Sequence, residues 1–343
     1  MNVFFNVIIR RRMGVALALV LLAGCGDDDN GGMGGPTPPT APQITCPANV
    51  SVTGVTGSSQ AVTYTAPAVT NGAAPVVTTC NPASGSSFAL GTTPVSCTAT
   101  DAQQRTATCS FSATLTGLVL GAKKYMTVGD SLTQGENGLP LAPTFIDTPN
   151  AYPTKLQALF DRDFPGQGIV VINRGVGGQR AEVTRDLLPG HLLADRPEAV
   201  LILTGYNNLT QACSPGSATT FECGQATDFV AFAVRDCIRE AKESPVGVKF
   251  IFASTLTPPG PTGGKRIDRA AIEEVNRKIR QHISQERVVL ADNYVAFVGH
   301  EAQYVAPDGL HLLPPGYEAM AETFYAAIRA TVPQSSLFSA HGR

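Results

Sequence analysis

From Lys123 onward, short apolar runs typical of β-strands alternate with longer segments of helical periodicity, and this alternation limits the possible folds most. Strands are predicted at residues 125–128, 169–172, 199–203, 248–253 and 288–290. Between two of them, apolar residues recur at helical spacing, as in Ile272, Val275, Ile279 and Ile283. Alternating β and α units with buried central strands imply a parallel sheet covered by helices on both faces. The expected fold is a flavodoxin-like three-layer α/β/α domain with strand order 2-1-3-4-5.

Four polar clusters follow these predicted strands. They are GDSL at 129–132, NRGVGG at 173–178, GYNN at 205–208 and DGLH at 308–311. Open parallel sheets bind their ligands beyond the carboxyl ends of the strands, near the point where the strand order reverses. The four loops are therefore expected to meet at one mouth and to form the functional site.

The clusters contain the groups that hydrolysis of an ester requires. A serine hydroxyl becomes a good nucleophile when a base takes its proton, and an imidazole oriented by a carboxylate is the usual base. Ser131 is the candidate nucleophile, with His311 as the base and Asp308 as the orienting carboxylate. Oxyanion donors are also needed, and the candidates are the Ser131 amide, the Gly178 amide and the Asn207 side chain. An N-cap role for Ser131 or a turn role for Asp308 would not explain all four clusters together.

In this order, GDSL, NRGVGG, GYNN and DGLH resemble the four blocks of the SGNH (GDSL) hydrolase family, over about residues 123–331. The resemblance implies a carboxylic ester hydrolase that forms a serine acyl-enzyme and needs no metal or organic cofactor. It assigns the four named positions to Ser131, Gly178, Asn207 and His311, with Asp308 completing the triad. Asn208 stands where many members carry aspartate, which puts the hydrogen bonding of that loop in doubt. The serine does not lie in a GxSxG motif, which argues against an α/β-hydrolase elbow.

Residues 43–117 have a different composition, in which short runs of Thr, Val, Ser and Ala are broken by Gly, Pro and Asn turns. This pattern predicts a small all-β sandwich. The stretches ITCPANVSV, VTYTAPAVT and SGSSFALGTTPVSCTATDAQQRTATCSF resemble the hyalin repeat, an immunoglobulin-like extracellular module. The resemblance implies two disulfides, and of the three connectivities we favour Cys46–Cys97 with Cys80–Cys109. A spacer is favoured over an adhesion or glycan-binding module, because no aromatic cluster marks a sugar platform.

The eight cysteines of the chain indicate an oxidising compartment. None of the eight lies in a CxxC pair or near a histidine at metal-ligand spacing, so disulfides fit better than zinc. Cys237 lies on the apolar stripe of a predicted helix and is expected to be a buried free thiol. Cys213 and Cys223 are then expected to form a disulfide in the loop after the third strand.

The N-terminus has the pattern of a bacterial lipoprotein signal. Three arginines at 10–12 precede an apolar run too short to span a bilayer, which ends in the sequence LAGC at 22–25. This end resembles a lipobox, which implies a signal peptide over 1–24 and a lipid on Cys25. A tether is expected over 25–42, the hydrolase domain over 121–333 and a tail over 334–343. We therefore expect a secreted lipoprotein in the bacterial cell envelope, with ordinary secretion without lipidation as the alternative.

The charge of the chain bears on its partners. A net charge of −2 and a pI near 6.2 provide no basic field, so nucleic acid is not expected as a partner. The expected substrate is a small-molecule or glycan ester, selected by the loops at 136–149, 210–224 and 256–266. None of these loops has a long apolar run, which favours small acyl groups such as acetyl. The alternatives are a lysophospholipase or lipase of the same family, and a non-catalytic adhesion or binding lipoprotein that uses the fold as a scaffold.

Overall fold

The computed structural model describes residues 39–139 and 146–336, and its first part consists of short strands. They are β1 (Gln43–Thr45), β2 (Val50–Val55), β3 (Ser59–Ala61), β4 (Ala68–Thr70), β5 (Val77–Asn81), β6 (Ser87–Ala89), β7 (Gly91–Thr100) and β8 (Thr106–Leu120). β5, β7 and β8 form an antiparallel sheet that β2 joins in parallel, while β1 pairs with β4 and β3 with β6. Phe88, Val95 and Phe111 are central to a separate hydrophobic core. The predicted all-β sandwich is confirmed.

The disulfide pairing that we expected in this sandwich is wrong. The bonds are Cys46–Cys109 and Cys80–Cys97, not Cys46–Cys97 and Cys80–Cys109. In the sheet, Cys97 of the central strand β7 lies directly between Cys80 of β5 and Cys109 of β8. Neighbouring strands are about 4.8 Å apart, so Cys80 and Cys109 are two strand spacings from each other, beyond the reach of a disulfide. The register therefore excludes Cys80–Cys109, and because Cys97 is bonded to Cys80, Cys109 pairs with Cys46.

The second part of the chain is built on a five-stranded parallel sheet. Its strands are β9 (Lys124–Gly129), β10 (Val170–Gly175), β11 (Ala199–Leu203), β12 (Phe250–Ser254) and β13 (Val289–Ala291). Their order is β10-β9-β11-β12-β13, which is the predicted 2-1-3-4-5. Every residue of the central strand β11 is buried, as its unbroken apolar sequence AVLIL requires of a strand covered on both faces. The prediction of a flavodoxin-like sheet is confirmed.

Helices connect these strands and cover the sheet. They are α1 (Ser131–Gln134), α2 (Tyr152–Asp163), α3 (Ala181–Asp195), α4 (Tyr206–Ala212), α5 (Phe221–Glu243), α6 (Arg269–Glu286), α7 (Asn293–Phe297), α8 (Glu301–Tyr304) and α9 (Pro314–Thr331). Because parallel crossovers are right-handed, the connection from β9 to β10 places α2 on one face, and the later crossovers place α3, α5 and α6 on the other. α9 packs against α2, whereas α5 packs against α3 and α6. The result is three layers around one large core.

Three further cysteines lie in this domain. Cys213 and Cys223 form the predicted disulfide, which joins the end of α4 to the start of α5. Cys237 is a buried free thiol on α5, as predicted, and burial raises its pKa to about 12. Across residues 39–139 and 146–336, no helix has both the length and the apolar content to cross a membrane.

The sandwich and the α/β domain share hydrogen bonds along the end of β8. The C-terminal strand β14 (Gln334–Ser336) pairs antiparallel with Leu118–Leu120 of β8, so the start of the sequence-predicted tail is a strand of the sandwich sheet. Gln167, which precedes β10, donates to the Leu118 carbonyl and accepts from the Leu120 amide. The Gly57 amide donates to the Asp163 carbonyl at 3.0 Å. The two domains are therefore joined by these hydrogen bonds as well as by the covalent chain.

Candidate active site

Ser131 lies where β9 turns abruptly into α1. Asp130 caps this short helix by accepting a hydrogen bond from the Leu132 amide at 3.2 Å. The turn requires glycine at position 129, since a Cβ atom there would be 1.8 Å from the Leu203 carbonyl oxygen of the adjacent strand. The local sequence GDSL therefore brings the serine to the carboxyl edge of the sheet, where parallel sheets bind ligands.

The structure brings Ser131, His311 and Asp308 into hydrogen-bonded contact, although the serine is 180 residues from the histidine along the chain. His311 Nε2 is 2.8 Å from Ser131 Oγ, and His311 Nδ1 is 2.6 Å from Asp308 Oδ2. With Nδ1 donating to the carboxylate, Nε2 is an acceptor for the serine hydroxyl proton. Ser131 is 2 % and His311 3 % exposed, so the relay is shielded from bulk water.

Asp308 uses its two carboxylate oxygens differently. Oδ1 accepts from the backbone amides of Leu310 and His311, both at 3.0 Å, which shapes the DGLH turn and sets the position of the imidazole. Oδ2 is left for the histidine ring, and Lys265 Nζ lies 3.4 Å from it. Burial alone would raise the pKa of Asp308, but the hydrogen bonds from the His311 ring and the two amides lower it to about 2. The residue is therefore a carboxylate at neutral pH.

Asp130 is fully buried and joins two of the four loops. Its Oδ2 accepts from the amides of Gly205 and Tyr206, both at 3.3 Å, while Oδ1 accepts from Leu132. Burial raises the pKa of Asp130 to about 6, against the lowering effect of these three hydrogen bonds. The residue holds the GYNN loop against the nucleophile loop and makes no hydrogen bond to the serine hydroxyl.

The three predicted oxyanion donors lie on the loops around Ser131. Within the described parts of the chain, the amides of Ser131 and Gly178 have no hydrogen-bond acceptor. Gly178 has φ +76°, a left-handed conformation that favours glycine, and a Cβ there would meet open space. Asn207 Nδ2 donates one N–H to the Gln179 carbonyl at 3.0 Å, which fixes the side chain beside Gly178. Its second N–H has no acceptor among the described residues, so this donor remains available.

Asn208 retains the hydrogen bonding that the departure from aspartate had put in doubt. Its Oδ1 accepts from the Ala181 amide at 2.9 Å, and its Nδ2 donates to Glu182 Oε2 at 2.9 Å. An aspartate could make only the first of these bonds, because a carboxylate cannot donate. The asparagine therefore makes a hydrogen bond to Glu182 on α3 that an aspartate at this position could not make.

Sequence reasoning gave no individual role to two residues close to the nucleophile, Gln134 and Glu136, although Glu136 begins the first loop predicted to select the substrate. Gln134 Oε1 accepts from the Gly177 amide at 2.6 Å and so ties the NRGVGG loop to α1. Glu136 places Oε2 3.5 Å from His311 Nε2, the same nitrogen that contacts Ser131. Lys265 Nζ is 3.8 Å from Glu136 Oε1. In the sequence, the only sign that Glu136 lies near the site is that it follows Ser131 by five residues. Its side chain must fold back over the turn after α1 to reach His311.

Some of the predicted positions lie outside the described residues. Cys25, the predicted lipidation site, lies outside the described part of the chain, as do residues 140–145 of the first loop predicted to select the substrate.

A parallel three-layer α/β/α domain with a serine–histidine–aspartate relay at its carboxyl edge is the architecture of a hydrolase that uses an activated serine. The sequence profile of the GDSL-like lipase/acylhydrolase family matches residues 127–319, more than half of the 343-residue chain. The chain therefore belongs to the GDSL-like lipase/acylhydrolase family and is a hydrolase that acts on esters. The HYR domain profile matches residues 37–115, which cover most of the sandwich.

Solved structures with a similar fold include two hydrolases. An acetylxylan esterase from Geobacillus stearothermophilus is 19% identical, with a TM-score of 0.47, over 61% of this chain and 95% of its own. A lipase/acylhydrolase from Enterococcus faecalis is 18% identical, with a TM-score of 0.47, over 62% of this chain and 97% of its own. Among curated proteins, none matches the chain significantly.

Proposed function

We propose that this protein hydrolyses carboxylic esters through an acyl-enzyme on Ser131, with His311 as general base and Asp308 as its orienting carboxylate. The observation that carries the proposal is the continuous hydrogen-bonded relay, 2.8 Å from Ser131 Oγ to His311 Nε2 and 2.6 Å from Nδ1 to Asp308. Both distances allow proton transfer without rearrangement. Because a fold alone does not establish function, the proposal rests on the geometry of this relay.

The proposed reaction proceeds in two halves. His311 Nε2 takes the Ser131 proton as Oγ bonds to the ester carbonyl carbon, and the carbonyl oxygen becomes an oxyanion. When the intermediate collapses, the bond to the alcohol oxygen breaks, and the alcohol leaves with the proton from Nε2. Water then attacks the acyl-enzyme with His311 again as base, which releases the acid and restores Ser131. Asp308 stays ionised throughout and stabilises the imidazolium.

The oxyanion is proposed to bind to the amides of Ser131 and Gly178 and to the Asn207 side chain. These groups support the role because they have unused N–H bonds and because Asn207 is fixed by Gln179. Donors that are held in place before the reaction begins cost no reorganisation when the charge develops.

The preferred substrate is proposed to be an ester with a small acyl group, such as acetyl, either on an extracellular glycan or in another short-chain ester. Support comes from the charged groups close to the relay, since Glu136 and Lys265 both lie within 4 Å of the His311–Asp308 pair. A hydroxyl-bearing alcohol can hydrogen-bond to such groups, whereas a long aliphatic chain would desolvate them without compensation. The protein is further proposed to be anchored in the bacterial cell envelope through a lipid on Cys25, a proposal that rests on the LAGC sequence.

The test is hydrolysis of p-nitrophenyl acetate, butyrate and decanoate by the full chain and by Ser131→Ala. Wild type is expected to prefer acetate, and Ser131→Ala to lose the reaction and its acyl-enzyme burst. Ser284→Ala, on the exposed side of α6, is the matched control and is expected to behave as wild type. Phenylmethylsulfonyl fluoride is expected to sulfonylate Ser131 with loss of HF, so that the peptide containing Ser131 gains the mass of the reagent less HF. Full activity of Ser131→Ala would overturn the mechanism, and preference for decanoate would support the lipase alternative.

A further inference from the structure

A cleft of about 710 Å³ opens beside the proposed oxyanion loops, and the reaction described above does not use it. Its walls come from the residue before α3, from the end of α4 and from the first turns of α5. Its volume exceeds what an acetyl group needs and falls within the range of ordinary ligand sites.

One wall of the cleft is aromatic. Phe229 and Phe232 lie three residues apart on α5, hence on one face of the helix, and each is 46 % exposed. The Arg235 guanidinium lies over the Phe232 ring at 4.8 Å, whereas Phe229 has no ring or cation contact among the described residues. The Phe229 ring therefore offers a flat apolar surface to a ligand.

A second wall, from the residue before α3 and from α4, carries planar hydrogen-bonding groups. Arg180, Asn208 and Gln211 line it, and Arg180 donates to the side-chain oxygen of Gln211. Glu222 and Gln225 also line the cleft, on the first turn and a half of α5, the helix that carries Phe229. Neither has a hydrogen-bond or ion-pair partner within the described parts of the chain, so both retain their full bonding capacity.

The chain connects this cleft directly to the proposed reaction centre. Arg180 is two residues beyond Gly178, and Asn208 follows Asn207, so two of the proposed oxyanion donors adjoin cleft residues. The buried Cys213–Cys223 disulfide ties the end of α4 to the start of α5 and so keeps the two walls at a constant separation. Two of the proposed oxyanion donors therefore lie on the same loops as residues that line the cleft.

We propose that this cleft is a subsite for the sugar chain that carries the ester, a proposal that rests on the function proposed above. A sugar ring has an apolar face that packs on an aromatic ring and equatorial hydroxyls that bond to amide and carboxylate groups, which is the combination the two walls present. An aliphatic acyl chain could pack against Phe229, but it would desolvate Glu222 and Gln225 without offering them hydrogen-bond partners. The chemistry of the walls therefore favours a glycan over a lipid tail.

The test compares Phe229→Ala with Phe221→Ala in the full chain. Phe221 lies on the same helix, is 73 % exposed and does not line the cleft, so it is a matched control for the loss of an exposed ring. The substrates are singly acetylated di- and hexasaccharides of xylose, glucose, mannose and N-acetylglucosamine. For at least one sugar, wild-type kcat/KM is expected to increase with chain length. Phe229→Ala should reduce this preference by roughly tenfold, and Phe221→Ala should retain it.

Two further results bear on the proposal. Titration of Ser131→Ala with the corresponding unacetylated hexasaccharides should show binding by calorimetry that Glu222→Gln and Phe229→Ala weaken. This measurement needs no catalysis, so it separates failure of the subsite from failure of the esterase. Absence of both a length preference and hexasaccharide binding for all four sugars would overturn the subsite. A selective loss of p-nitrophenyl decanoate hydrolysis in Phe229→Ala would overturn it too, and would assign the cleft to an acyl chain.

Discussion

Replacement of Asp308 by asparagine tests the link between the geometry of the relay and its chemistry. In the wild type, Oδ1 accepts hydrogen bonds from the Leu310 and His311 amides. Asparagine keeps the shape of the side chain and one oxygen that can accept the same bonds. It removes the negative charge that lies 2.6 Å from His311 Nδ1. The fold of the DGLH turn should survive, while the imidazolium that forms during the reaction loses its counter-charge.

The size of the effect follows from the pKa of Asp308. Lowering of this pKa from 3.8 to about 2 corresponds to roughly 2 kcal/mol. Part of this energy comes from the two amide bonds that asparagine keeps, and the carboxyl group is partly open to solvent, so we take about 1 kcal/mol as the coupling to the imidazole, which is a roughly 5-fold loss of kcat/KM. An asparagine that donates its N–H to Nδ1 would also hold the histidine in the wrong tautomer, which increases the loss to about 10³- to 10⁴-fold. We therefore expect a decrease between these limits, mostly in kcat.

The assay is steady-state hydrolysis of p-nitrophenyl acetate, with Glu136→Gln as a comparison because this second carboxylate is 3.5 Å from the other ring nitrogen. Unfolding by denaturant between pH 2 and 7 provides a separate check. Since the folded pKa of Asp308 is below its ordinary value, the stability it contributes is present above pH 3.8 and is lost as the pH falls towards 2. The difference in unfolding free energy between wild type and Asp308→Asn should disappear over that range. An Asp308→Asn enzyme with more than half of wild-type activity would refute the reasoning.

Three further predictions concern the oxyanion donors, the thiols and the anchor. Asn207→Ala should lower kcat by ~10² to 10³ with little change in KM, because the donor acts on charge that develops only in the transition state. Full turnover would remove Asn207 from the site. Thiol titration of the mature protein should detect one slow cysteine, Cys237, and only after denaturation, since burial shields it and the six partners of the disulfides do not react. Rapid labelling of native protein would contradict this. Cys25→Ser should release the protein from membranes or leave its signal uncut, and mass spectrometry showing an unmodified mature N-terminus in the wild type would refute the anchor.

Much of the α/β domain could be predicted because its signals are local. An unbroken apolar run such as residues 199–203 marks a strand buried on both faces, and the βα alternation with right-handed crossovers limits the strand order. The carboxyl ends of parallel strands share one edge, so four clusters far apart in the chain could be assigned to one site before any distance was known.

The sequence by itself therefore determined the sheet order, the loops that meet at its edge and the residue types available for a serine relay. Only the tertiary structure decided which atoms come into contact. The pairing of Cys80 with Cys97 depends on a strand register that has no local signal, because Cys97 lies opposite Cys80 on one side and Cys109 on the other. The approach of Glu136 to His311 and the addition of β14 to the sandwich sheet likewise join residues 175 or more positions apart. Such contacts depend on how the elements pack, and composition and periodicity carry no information about that packing.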